Sequence, residues 1–134
     1  MQSFEDVRAH LAAQFKIDHN EPYLLSLELL LPEGRRQEVF VAELKTEHAQ
    51  RVLRVGTPIR RFAGLDAKRC LCFNWAQRTG WLAVGELDGE DYLHLCENRP
   101  YAGLDGAALD RLLIEVAAQA DGLERLLAGG SDLT

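Results

Sequence analysis

The apolar positions of this chain change period several times, and each change marks an element. Phe4, Val7, Leu11 and Phe15 recur at spacings of three and four, which places them on one face of a first helix. Ser3 is its cap, with Asp6 three residues on in a capping-box arrangement. The segment DHNEP, residues 18–22, ends the helix, because Pro22 cannot continue one and holds the residue before it extended. The period then becomes two. Strands over about 23–31 and 37–44 flank a turn at Pro32-Glu33-Gly34-Arg35. Leu25, Leu27, Leu29 and Leu31 share one face of the first strand, while Leu24 and Leu30 share the other with Ser26 and Glu28. A third strand covers about 51–59, with Pro58 placing that end at an edge or a bulge.

Residues 66–77 read two ways. Asp66 is a helix cap and the following run lacks Pro and Gly, yet Cys70, Cys72 and Asn74 also alternate with Leu71, Phe73 and Trp75 as in a strand. Next, WLAVGEL, Asp88-Gly89-Glu90 and DYLHLC predict a hairpin turning on Asp-Gly. The last element is a helix of about 22 residues capped by Asp105, with a staple of Leu104 on Leu109. Its seam is Leu109, Leu113, Val116, Ala120, Leu123 and Leu127, and Gly129 and Gly130 terminate it. Gly122, inside that helix, costs about 1 kcal/mol relative to alanine and suggests a close contact there. Short turns between strands imply antiparallel pairing, and helices must cover one sheet face. The expected fold is α+β: a five-stranded antiparallel sheet with three helices, in one domain over 1–134.

Composition narrows the function classes. With 134 residues, 47% hydrophobic and 27% charged, the chain holds one core without needing a metal or disulfides. A net charge of -6 argues against nucleic acid and anionic membranes as partners. The start MQSFEDVRAH places acidic residues where an export signal carries basic ones, and no apolar run approaches the ~20 residues of a membrane span. The expected compartment is the cytoplasm.

Candidate chemistry is sparse. Cys70 and Cys72 are separated by one residue, which is not a usual zinc spacing, and the third cysteine, Cys96, supplies no second pair. As small buried hydrophobes they read as packing. His10, His19, His48 and His94 form no HExxH or other local ligand pair. ELDGEDY, residues 86–92, is a solvated hairpin turn and lacks the length of a calcium loop. Arg35, Arg36, Arg51, Arg54, Arg60 and Arg61 form a basic cluster without interleaved aromatics, which reads as a salt-bridged strand face. No catalytic, metal or cofactor site is expected. The leucine surplus of 23–31 is the outlier, since three helices do not obviously cover both faces of that strand. An uncovered apolar strip indicates a partner or a dimer interface.

The element order and the C-terminal half carry a resemblance. Asn74 near the end of the middle helix, the step from Gly80 into a strand reaching Val84, an acidic turn, RPYAGLD, and a final helix centred on Ala117, Ala120 and Asp121 resemble the type III secretion chaperone-like superfamily. That superfamily includes the Tir-chaperone and YbjN-like proteins. The resemblance implies the order α-β-β-β-α-β-β-α, which makes 66–77 a helix. It also implies a homodimer that holds an extended segment of a client protein on apolar patches, with no catalytic centre. On that reading Phe4, Val7, Leu11, Phe15, Leu25, Leu27 and Leu29 contact the client. Cys70, Phe73, Trp75, Trp81 and Val84 lie in the core or the dimer interface. The alternative is a YbjN-like regulatory or stress-related protein without a secretion client.

Overall fold

The computed structural model describes residues 1–128. Helix α1 spans Phe4–Ala12 and opens on Ser3, whose hydroxyl accepts from the Asp6 amide at 3.2 Å. Asp6 returns a carboxylate oxygen to the Gln2 amide at 2.9 Å. Six strands follow: β1 Ile17–Glu21, β2 Leu24–Leu30, β3 Arg36–Lys45, β4 Arg51–Arg61, β5 Trp81–Leu87 and β6 Glu90–Pro100. Helix α2, Ala67–Ala76, links β4 to β5, and α3, Gly106–Ala128, follows β6. Asp66 caps α2 through the Lys68 amide at 2.9 Å, so 66–77 is a helix, as the resemblance implies. All strands pair antiparallel, in the order β1-β2-β3-β4-β6-β5.

The sheet has six strands, and the expectation of five is corrected by β1. IDHNE, which overlaps the DHNEP segment expected to terminate the first helix, is a strand paired with β2 through Asn20–Leu25 and Glu21–Leu24. It lies at the sheet edge with four exposed polar residues, so no apolar alternation marks it. Pro58 meets the second of its two expected settings: β4 is central, and the register with β6 shifts between Pro58 and Arg60. Strand β6 runs four residues past Cys96, pairing Asn98 with Arg54 and Pro100 with Val52.

All three helices bury their apolar faces in one core on one side of the sheet. That core joins Phe4, Val7 and Leu11 of α1 to Leu25, Leu27 and Leu29 of β2. Val39, Val41, Leu53, Val55, Leu93 and Leu95 continue it across the sheet, and the α3 seam from Leu109 to Leu123 closes it. Two polar ties fix the layers. Asp121, buried on α3, accepts from Arg35 Nε with both carboxylate oxygens at 3.0 Å, which pins the β2–β3 turn to the helix. His10 Nε2 lies 2.8 Å from Asp110 Oδ1 and joins α1 to α3. Buried Gln37 donates to Thr57 Oγ1 at 2.7 Å and to the Pro58 carbonyl at 3.1 Å, so a polar pair inside the sheet is satisfied. Gly122 makes no close contact: a Cβ there would meet open space within 4 Å. The expected stop at Gly129 and Gly130 lies outside the described residues.

Candidate functional site

Placing every helix on one side leaves the other face of the sheet open. The strand registers put Ser26, Phe40, Gly56, Cys96 and Trp81 in one row across that face. Leu24, Ala42, Arg54 and Asn98 form the next row. Small residues sit in the middle and large ones at the sides, so the face is a trough of about 390 Å³. Its floor is Ala42, Gly56, Ala83 and Gly85, and Leu24, Phe40, Leu44 and Leu87 wall it. Gly56 leaves the space beside Cys96 open, since a Cβ there would come 3.5 Å from Cys96 Sγ. Gly85 admits His94, whose ring would lie 3.2 Å from a Cβ at that position. His94 Nε2 is 3.1 Å from the Gly85 carbonyl oxygen, which fixes that nitrogen as a donor.

One cation stands in this apolar lining. Arg54 Nε donates to Asn98 Oδ1 at 2.9 Å, and the guanidinium carbon lies 5.0 Å from the centre of the Trp81 ring. Three of its neighbours in the basic cluster are salt-bridged: Arg35 pairs with Asp121 and Glu33, Arg36 with Glu28, and Arg61 with Glu90. Among the described residues no carboxylate pairs with Arg54. Cys96 lies beside it, its thiol pushed up by burial against a smaller opposing pull from Arg54. A thiol held protonated is a poor nucleophile. Among the described residues no three His, Cys, Asp or Glu side chains gather as a metal site.

A second uncovered surface lies where α2 meets the outer edge of β5. Asn74 donates to the Leu82 carbonyl at 3.0 Å and accepts from the Leu82 amide at 2.7 Å, so its amide stands where another strand would pair. Around this rung Trp75 is 93% exposed, Leu71 67% and Val84 50%. A shallow pocket of about 170 Å³ opens between Leu71 and Val84 onto Phe62, Cys70, Leu82 and Leu93.

The structure separates the residues that the sequence groups as client contacts. Phe4, Val7, Leu11, Leu25, Leu27 and Leu29 are buried beneath the helices, and Phe15 is half-buried against the same core. In this fold they are core and present no surface to a partner, which corrects that assignment. Cys70 and Phe73 are buried, and Trp81 is half-buried under Arg54. Trp75 and Val84 are not core and stand exposed beside the free edge. Cys70 packs into the helix-side core while Cys96 lines the trough on the opposite face, and Cys72 is exposed. The three thiols therefore do not converge. Phe40, Leu44, Arg54 and Leu87 are the trough residues that the sequence reading did not single out. Gly56 inside a strand pattern was the available signal, since an interior strand glycine marks a close approach or a missing side chain.

No helix among the described residues is long and apolar enough to cross a membrane. No protein-family model matches the chain, and no curated protein does.

Proposed function

We propose that this chain is a non-enzymatic, cytoplasmic protein-binding module, similar in role to the type III secretion chaperone-like proteins, that holds an extended segment of a client. One observation carries the reading: a six-stranded sheet with all three helices on one side and an apolar trough across the other. Monomeric proteins seldom leave such a face uncovered, and an extended segment with alternating side chains suits a pleated floor. The contact surface is Leu24, Phe40, Ala42, Leu44 and Leu87, in place of the α1 and β2 core residues. Homodimer formation through the α2–β5 edge belongs to the same proposal, supported by Leu71, Trp75 and Val84 beside an unpaired strand.

The test is an affinity pull-down from native lysate with the wild type and with Leu24→Glu, which charges the trough wall without entering the core. One dominant stoichiometric partner, lost in the folded variant, is the expected result. No stoichiometric partner would overturn the chaperone reading and favour a YbjN-like regulatory role. Light scattering tests the dimer, with Trp75→Ser expected to weaken it. A mass near the 15.0 kDa of one chain at micromolar concentration would refute it.

A further inference from the structure

We infer that the trough selects a client segment in which one acidic residue sits among apolar ones, with Arg54 receiving its carboxylate. The inference rests on the trough being the client site and names the chemistry that site prefers. Arg54 is half-buried in an apolar lining, and its Nε is already engaged by Asn98. The Trp81 ring holds the guanidinium plane. Its two terminal nitrogens make no hydrogen bond among the described residues, and a guanidinium fork fixed in this way matches a carboxylate. A half-buried guanidinium is less screened by water than one on an open surface, so an incoming carboxylate gains more there.

The surroundings discriminate among anions. Glu86 at the rim is an acidic member of the lining, so the local field disfavours a polyanion. A nucleic-acid strand needs several cations along its path, and among the described residues the trough lining supplies one, in a chain of net charge -6. The trough runs across the sheet from Leu24 on β2 to Leu87 on β5, which gives apolar contacts on both sides of Arg54. A peptide with apolar residues flanking one Asp or Glu meets all three conditions.

The test uses fluorescein-labelled ten-residue peptides in which Leu and Val alternate with Ser and the central residue is Glu, Gln or Lys. Binding is read by fluorescence anisotropy on the wild type, Arg54→Gln, Arg54→Lys and Gly56→Val, each checked for folding by circular dichroism. The Cβ added at residue 56 meets Cys96 at ordinary contact distance, so Gly56→Val fills the trough while the strand can accept it. Expected is a preference for Glu over Gln of about tenfold or more on the wild type. It should vanish in Arg54→Gln, persist in part in Arg54→Lys, shrink with added salt, and disappear with all binding in Gly56→Val. Should Arg54→Gln fail to fold, the salt dependence and Arg54→Lys still decide. Equal binding of all three peptides, lost in Gly56→Val, would overturn the acidic anchor and leave the trough as a client site. Binding by none of them would overturn both. A wild-type dimer that dissociates in Gly56→Val would show a second copy filling the trough and would likewise overturn the inference.

Discussion

Asn74 offers the sharpest check on how the free edge is built. Its amide satisfies both backbone groups of Leu82, at 2.7 and 3.0 Å, and holds α2 against β5. Asn74→Leu keeps the branching at Cγ and removes both bonds. Each net hydrogen bond is worth about 1 kcal/mol, and a backbone group left without a partner adds a further ~1 kcal/mol where water reaches it poorly. The expected loss is about 2–3 kcal/mol, a fall in melting temperature of about 8 °C for a domain of this size. Urea and thermal unfolding measure the global term. Amide exchange at Leu82 measures the local one, with protection expected to drop at least ~10-fold, in keeping with local opening. Asn74→Asp is the control: it retains the acceptor for the Leu82 amide but sets an anionic oxygen against the Leu82 carbonyl. Its cost relative to wild type should be larger at pH 7 than at pH 4. A loss below ~0.5 kcal/mol in Asn74→Leu, with unchanged Leu82 exchange, would refute the view that this side chain secures the edge.

Leu27→Glu should unfold the chain, since Leu27 is fully buried and a lone carboxylate there costs at least ~4 kcal/mol; retention of native circular dichroism at 25 °C would contradict its core placement. Of the three cysteines, Cys72 should react at once with a thiol reagent, while Cys70 and Cys96 react slowly because burial raises both thiols; three equal rates would count against their placement. Burial and then the charge of Asp121 raise the Glu124 carboxyl above its ordinary value. A raised acid favours the folded state only while it stays protonated, so its ionisation works against folding at neutral pH. Glu124→Gln should therefore raise the urea midpoint slightly at pH 7 and lose that gain as the pH falls through the carboxylate range; an equal gain at pH 4 would refute the linkage.

Periodicity reports which residues share a face, and it served well where one face is buried. The α3 seam, the β2 stripe and the Asp-Gly hairpin are all where the pattern puts them. It does not report which side of a sheet the helices choose. Leu25, Leu27 and Leu29 were legible as one stripe, and their assignment to a partner failed because α1 and α3 cover that side. Strand β1 was invisible because backbone pairing holds it and four of its five side chains, Asp18 to Glu21, are polar and exposed. The tail of β6, ENRP, escaped because Glu97, Asn98 and Arg99 are polar and half-buried, with Glu97 and Asn98 held by hydrogen bonds and not by apolar packing. Arg54 looked like one of six arginines in a cluster. Only the registers that seat it beside Asn98 and near Trp81 set it apart from neighbours with carboxylate partners.

The two borders of the sheet are unlike, and that limits stoichiometry. β1 carries Asp18, His19, Asn20 and Glu21 exposed along its border, so a foreign strand finds polar and charged side chains there. β5 carries Val84 with Leu71 and Trp75 beside it. A particle that is adhesive at both ends grows into a fibre, whereas one that is adhesive at a single end is consumed by its first encounter. In the proposed dimer, copies that meet through β5 would turn their polar β1 borders outward and stop at two.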